Sequence, residues 1–127
     1  MAVSYYKWEL FDKTWWDWEC LEAGENFCVK RLTVKPGEIL SLQMHHHRSE
    51  HWVVVQWVAT ITKNEDTFLL HPGQSVSINQ WDKHRFWNAK NEGEDMVLIE
   101  VQYGEDLRED DVVRFEDKYG REGTNEG

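Results

Sequence analysis

The residues best suited to chemistry lie in one ten-residue stretch, Gln43 to Trp52. It contains four histidines, one glutamate and one glutamine. Apolar residues lie on both sides of it, which is typical of a β-strand that continues through the polar run. Imidazole nitrogens and carboxylate oxygens at this density are ligands that divalent transition metals prefer. The stretch therefore predicts a metal site rather than a solvated strand face.

Strand geometry limits which of these side chains share a face. Alternate side chains of a strand point the same way, so Gln43, His45 and His47 should point to one side. A kink at the two residues before Glu50 would return Glu50 to that side. Two of the first three groups and Glu50 would supply three ligands, and His84 is the best candidate for a fourth. Ligand type alone does not choose among zinc, manganese, iron, cobalt and nickel.

Short strand signals recur along the chain between turns rich in glycine, proline and asparagine, and no helical period persists over a long window. This pattern predicts an all-β sandwich or barrel. Residues 109–117 are predicted to form a short turn and an edge segment. The predicted strands are Phe27–Val34, Ile39–His47, His51–Thr62, Thr67–Leu70, Ser75–Ile78, His84–Asn88 and Met96–Gln102.

Length and charge limit the function classes. The chain of 127 residues fits one domain, which we place at residues 1–121 with a disordered tail at 122–127. The formal net charge of −10 disfavours binding to nucleic acid or to an anionic membrane. No apolar run is long enough to span a membrane, and the first residues lack the apolar stretch of a signal peptide. We therefore expect a cytoplasmic protein.

Two cysteines flank a predicted turn. Cys20 and Cys28 are equidistant from Gly24 in the sequence, so a hairpin that turns there would place them opposite each other. They could form a cross-strand disulfide. Two reduced thiols are the alternative, and they are the usual state of cysteines in a cytosolic protein.

Two polar motifs resemble those of the cupin family, a family of small all-β barrels. The first runs from Gly37 to Glu50 and the second from Gly73 to Asn88. More narrowly, the chain resembles the C-terminal domain of type II mannose-6-phosphate isomerase/mannose-1-phosphate guanylyltransferase, most specifically through the string His-His-His-Arg-Ser-Glu-His-Trp. The matching stretches cover most of residues 13–121, and they are Val29–Gly37, Leu40–Val55, Lys83–Arg85, Leu98–Gln102 and Glu109–Arg121.

This resemblance implies an activity, which is the metal-dependent isomerisation of mannose 6-phosphate to fructose 6-phosphate. His47 is a candidate for the base that moves the proton, and Arg85 or Lys83 could pair with the phosphate. For each of the three, the alternative is a basic side chain on the solvated surface that has no part in the reaction. Relatives of this kind also imply a homodimer. The implied metal ligands are Gln43, His45, Glu50 and His84.

Tryptophan stands at three positions where the family pattern has glycine, namely Trp16, Trp57 and Trp81. A bulky residue in the backbone conformation that glycine favours costs about 1–2 kcal/mol. We interpret the replacements as an engineered redesign, with drift in a divergent homologue as the alternative. Together with Trp18 these side chains could line a pocket for an apolar or aromatic ligand that is bound without catalysis. They could instead form the subunit interface of an assembly module.

Overall fold

A computed structural model describes residues 10–12, 16–108 and 111–116, with the backbone alone for the first of these ranges. Within them the chain forms strands and turns, and no helix that could cross a membrane occurs there. The tail predicted at residues 122–127 and the end of the predicted domain lie outside the described residues. The strands are β1 (Leu10–Asp12), β2 (Trp16–Ala23), β3 (Phe27–Val34), β4 (Leu42–Met44), β5 (Arg48–Gln56), β6 (Ala59–Lys63), β7 (Asp66–Leu70), β8 (Ser75–Ile78), β9 (His84–Trp87), β10 (Met96–Gly104) and β11 (Val113–Glu116).

The strands form two antiparallel sheets. The six-stranded sheet has the order β1-β2-β3-β10-β5-β8, and the five-stranded sheet has the order β11-β4-β9-β6-β7. Strands that are far apart in sequence are neighbours in both sheets, as where β10 lies between β3 and β5. The prediction of an all-β sandwich or barrel is therefore confirmed.

The core lies between the inner faces of the two sheets. Along β5 and β10, buried residues alternate with partly exposed ones, as expected for strands with one face on a core. Trp52 of the larger sheet meets Phe86 of the smaller sheet edge to face, with ring centroids 4.9 Å apart. Burial of each such aromatic side chain contributes roughly 1.5–3 kcal/mol. This contact fixes the spacing of the sheets immediately beside His84, whose ring centroid is 5.5 Å from that of Trp52.

The predicted strands match the observed ones closely in the second half of the chain and less well in the first. The predicted bounds of β3 and β8 are those observed. The predicted strand His51–Thr62 is in fact two strands, because the chain turns at Trp57. The predicted strand Ile39–His47 contracts to β4 and an isolated bridge at Ile39.

Two of the three tryptophans at glycine positions have the left-handed backbone conformation that glycine favours. The φ angle is 67° at Trp57 and 73° at Trp81. Trp16 differs, because it begins strand β2 and is not among the described residues with positive φ. The predicted strained turns are therefore present at Trp57 and Trp81, and the prediction is wrong at Trp16, where an extended backbone accepts any side chain.

Trp81 allows this strain to be measured, because its side chain is 61% exposed and its main packing partner is the ring of His46, 4.5 Å away. Trp81→Gly and Trp81→Ala both remove that stacking, but only alanine keeps the Cβ that the left-handed conformation disfavours. We expect the glycine variant to have the larger free energy of unfolding, by about 1 kcal/mol. Urea denaturation of the two variants measures the difference. Equal stabilities would show that φ at this position relaxes.

Candidate metal centre

A cluster of three potential ligands lies between the two sheets. His45 follows β4, Glu50 is on β5, and His84 begins β9. Each has 3% or less of its surface exposed. One ligand atom from each residue can be chosen so that all three atoms lie within 4.8 Å of one another. Segments remote in sequence thus bring two imidazoles and a carboxylate together at the wall of one cavity.

Hydrogen bonds to backbone carbonyls orient both imidazoles. The Nδ1 atom of His45 lies 2.6 Å from the carbonyl oxygen of Asp111, and Nδ1 of His84 lies 2.8 Å from that of Asp82. Because a carbonyl only accepts hydrogen bonds, each Nδ1 carries a proton and donates it. Both Nε2 atoms are therefore turned towards Glu50, at 3.2 Å and 3.8 Å from its carboxylate oxygens. Metal-binding histidines are usually oriented in this way.

Gln43 is the fourth residue of the ligand set that the sequence predicts. It lies on β4 directly across from His84 of β9 and lines the same cavity. Its Nε2 donates to the hydroxyl of Ser41 at 2.9 Å, so its amide oxygen is the atom suited to a cation. Two imidazole nitrogens, a carboxylate and an amide oxygen form a donor set that fits a divalent transition metal.

Arg48 belongs to the site, although it is not among the residues predicted from the sequence. Its Nε donates to Oε2 of Glu50 at 2.9 Å, and its Nη2 donates to Nε2 of His45 at 3.1 Å. The side chain is 6% exposed. A guanidinium does not lose its proton in proteins, so the cluster contains a permanent positive charge beside the carboxylate.

Asp111 shapes the loop that carries His45. Its two carboxylate oxygens accept the backbone N–H groups of His46 and His47, both at 3.0 Å. The chain bends there, immediately after β4. The alternation of side chains between the two faces is therefore interrupted before His47, and not at the two residues before Glu50 as predicted. His47 is consequently exposed and does not line the cavity, so the structure does not place this predicted base at the site.

The protonation states of Glu50 and His84 are those of metal ligands. Burial alone would raise the pKa of Glu50, but Arg48, followed by His45 and His84, holds that pKa well below its usual range. Burial lowers the pKa of His84 to about 4, against the opposing effect of Glu50. At neutral pH the site therefore presents an ionised carboxylate and a neutral imidazole at His84, the protonation states that bind metal.

A second carboxylate lies next to the cluster. The indole N–H of Trp52 donates to Oε1 of Glu50 and to Oε2 of Glu100, at 3.0 Å in both cases. Gln102 donates from its Nε2 to Oε1 of Glu100 at 2.6 Å. Burial, and after it the charge of Glu50, raise the pKa of Glu100 to about 8. The two carboxylates therefore differ in charge at neutral pH although one indole bridges them.

Lys30 is directly across from Glu100 in the pairing of β3 with β10, and it is only 3% exposed. Its ammonium lies 3.9 Å from the ring centroid of Trp18. Neither Lys30 nor Glu100 is among the site residues predicted from the sequence, although a signal for both existed. Both are polar residues at positions where strand alternation predicts the apolar inner face.

The two predicted phosphate-binding residues are placed differently. Arg85 lines the cavity, but its Nε donates to the carbonyl oxygen of Leu40 at 3.1 Å, and its Nη1 lies 3.5 Å from Glu116. Lys83 is exposed and does not line the cavity, and its ammonium lies 4.5 Å from the ring centroid of Phe115. Arg85 thus stays a candidate, and Lys83 is outside the site.

The structure separates the four tryptophans that the sequence predicts in one pocket. Trp16 and Trp18 line the cavity that contains the ligand cluster. Trp57 instead lines a separate, open depression beside Lys90, and Trp81 lies on the surface against His46. The difference follows from the positive φ at Trp57 and Trp81, which belongs to turns outside the sheets rather than to their inner faces.

The two cysteines lie close together in the hairpin between β2 and β3. Their sulfurs are 3.6 Å apart, far beyond a disulfide bond length of about 2.05 Å, so both are free thiols. A bulge next to Cys20 shifts the pairing, and Cys28 faces Ala23 rather than Cys20. Burial raises the pKa of Cys28, which keeps this thiol protonated.

Asp111→Asn should weaken metal binding without unfolding the barrel. The amide keeps one acceptor for the bent loop but places an N–H₂ group against the other backbone N–H. His45 then loses its fixed position, and affinity should fall about 10–100-fold, as for other residues that orient metal ligands. Titration with Zn²⁺ measures the change. Asp106→Asn, on the preceding loop, is the control, and equal affinities of the two variants would contradict the role of Asp111.

The raised pKa of Glu100 predicts a pH dependence of stability. Between about 4.5, its ordinary pKa, and about 8, the unfolded chain loses this proton while the folded protein retains it. Glu100 therefore contributes a loss of stability as the pH rises through that window. In metal-free protein, Glu100→Gln should remove this loss, which melting temperatures across the window would show. Glu65→Gln, at an exposed turn, should leave the profile unchanged.

Comparisons with known proteins agree with the architecture. A family model described as mannose-6-phosphate isomerase C-terminal matches residues 5–117. The xanthan biosynthesis protein XanB of Xanthomonas campestris is 51% identical over 110 residues, which cover 86% of this chain and 23% of that protein. The mannose-1-phosphate guanylyltransferase ManC of Salmonella typhimurium is 50% identical over 109 residues, which cover 86% and 22%. The chain thus spans less than a quarter of the length of these relatives.

Solved structures show the same fold. A cupin-2 domain protein from Rhodospirillum rubrum superimposes with a TM-score of 0.69 at 17% identity, covering 83% of this chain and 77% of that one. A sugar phosphate isomerase of the cupin superfamily from Silicibacter pomeroyi gives 0.62 at 17% identity, covering 69% and 59%. The predicted cupin fold is confirmed. Because the family model spans most of the residues, the chain belongs to the mannose-6-phosphate isomerase C-terminal family, and its fold is a cupin barrel.

Proposed function

We propose that this domain isomerises a sugar phosphate between its aldose and ketose forms, with mannose 6-phosphate and fructose 6-phosphate as the pair. The observation that carries this proposal is the buried group of His45, Glu50 and His84, with both imidazoles fixed by backbone carbonyls. Gln43 would be the fourth ligand of a divalent metal ion. Such an ion, when bound, polarises the carbonyl and hydroxyl oxygens of an α-hydroxy aldehyde.

The size of the cavity limits how a sugar phosphate can enter. The cavity measures about 60 Å³, which is room for roughly four water molecules. A whole hexose phosphate does not fit in that volume, but the C1–C2 end with its two oxygens does. The reacting end would thus lie beside the ligand cluster and the phosphate nearer the mouth. Arg85 and Arg114 line the cavity and are the candidates to bind the phosphate.

The reaction needs a group that removes the proton from C2 and returns it to C1. Apart from the proposed metal ligands and the arginines, which stay protonated, the acidic and basic side chains among the described cavity residues are Lys30 and Glu100. Both oxygens of Glu100 already accept hydrogen bonds from Trp52 and Gln102. We therefore assign the proton transfer to Lys30 in place of His47: the ionised form of Glu100, directly across from it, takes one proton from the Lys30 ammonium, and the resulting amine removes the proton from C2.

Lys30→Met should lower kcat for mannose 6-phosphate about 10²–10⁴-fold, the usual contribution of a general base, while bound metal stays the same. The assay is performed on protein loaded in turn with zinc, manganese, iron, cobalt and nickel. Nuclear magnetic resonance follows turnover and the incorporation of solvent deuterium at C1 of fructose 6-phosphate. Lys35→Met, an exposed lysine at the end of the same strand, is the matched control.

The outcomes of this experiment separate the parts of the proposal. Absence of turnover with every metal would refute the isomerase. Turnover that survives in Lys30→Met but is lost in Glu100→Gln would move the base to Glu100. Loss of turnover in the double variant His45→Ala/His84→Ala, with retention in His46→Ala, would support the ligand set, because His46 lies outside the cavity against Trp81.

A second candidate function is the binding of a small aromatic ligand without catalysis. The observation in its favour is that Trp16 and Trp18 both line the cavity, where flat apolar rings can stack on a ligand. Titration with benzyl alcohol, followed by tryptophan fluorescence, tests it. Saturable binding that disappears in Trp16→Ala, in a protein that does not turn over mannose 6-phosphate, would favour the binder over the isomerase.

A further inference from the structure

Two hydrogen-bond acceptors face each other at close range in the ligand cluster. Nδ1 of His45 donates to the carbonyl of Asp111, and Nη2 of Arg48, which can only donate, lies 3.1 Å from Nε2, so Nε2 presents a lone pair. That lone pair is 3.2 Å from Oε2 of Glu50. Two acceptors at this distance repel each other unless a cation or a donor bridges them, and the repulsion is strong where water is excluded.

Arg48 provides that bridge. One guanidinium spans both acceptors, with Nε at 2.9 Å from Oε2 of Glu50 and Nη2 at 3.1 Å from Nε2 of His45. All three side chains are at least nine-tenths buried. Arg48 and Glu50 are two residues apart on β5, so their side chains lie on the same face of one strand. The two atoms that Arg48 contacts are atoms through which His45 and Glu50 would bind a metal ion.

We propose that Arg48 is a built-in competitor of the metal ion. In the metal-free protein its guanidinium takes the place of the ion between His45 and Glu50, and it must release Nε2 of His45 when the ion binds. This inference rests on the metal site of the proposed function. Arg48 acts as a positioning residue in the metal-free state. Its competition lowers the metal affinity below the value that the four ligands alone would give.

The competition has a thermodynamic consequence that a purely structural role lacks. Removal of Arg48 destabilises the metal-free protein, because the two acceptors are left facing each other. It destabilises the metal-bound protein less, because the ion already separates them. Arg48→Met, similar in length and without charge, should therefore bind Zn²⁺ about tenfold more tightly than the unaltered protein. The rise in melting temperature on adding Zn²⁺ should also be larger in the variant.

Calorimetric titration and thermal melting of the full chain, with and without Zn²⁺, test the proposal. Arg31→Met is the matched control, because Arg31 is exposed and pairs with Glu19 far from the cluster. Equal affinities and equal melting shifts in Arg48→Met and the unaltered protein would overturn the inference, as would weaker binding in Arg48→Met. If neither protein binds Zn²⁺ at a single site, the metal site of the proposed function falls and the competition falls with it.

A measurement on the unaltered protein keeps the test decisive if Arg48→Met does not fold. The guanidinium N–H signals of Arg48 are recorded by nuclear magnetic resonance during a Zn²⁺ titration. Loss of the bridge to His45 should speed the exchange of its Nη protons with water by about tenfold or more. Unchanged exchange in Zn²⁺-saturated protein would mean that Arg48 stays on His45, and the inference would be wrong.

Discussion

The structure depends on keeping the carboxylate of Glu50 ionised inside the barrel, where the residue is only 2% exposed. An isolated buried charge is strongly unfavourable, so it must be paired and hydrogen-bonded. Arg48 and the indole N–H of Trp52 contact its two oxygens, and the imidazoles of His45 and His84 point at them. The strands that carry these groups belong to both sheets, so the same requirement joins the two halves of the barrel.

This requirement also explains why a second, neutral carboxylate can lie so close. Glu100 shares the Trp52 N–H with Glu50, and two negative charges joined through one donor would repel each other. Glu100 remains protonated at neutral pH, with a pKa of about 8, and Glu50 takes the charge. The division follows from position, because Glu50 lies against the guanidinium of Arg48. The interior therefore contains one ionised and one neutral carboxyl group in adjacent places.

Backbone geometry contributes as much as side-chain chemistry at two places. Gly104 pairs with Arg48 at φ 154°, and a Cβ there would lie 2.4 Å from the carbonyl oxygen of His47, so only glycine lets β10 approach the bent histidine loop. Trp57 and Trp81 show the opposite case, in which large side chains occupy the left-handed conformation in turns, and neither side chain lines the cavity.

The sequence by itself determined the all-β class, most strand positions in the second half of the chain, and His45, Glu50 and His84 as residues of one site, because alternation and motif spacing are local properties. Only the tertiary structure decided that Arg48 bridges two ligands, that Asp111 bends the chain, and that Lys30 meets Glu100. Asp111 shows the reason most clearly. Nothing near it distinguishes it from its acidic neighbours, and its role exists only because β11 pairs with β4, a contact between segments about seventy residues apart.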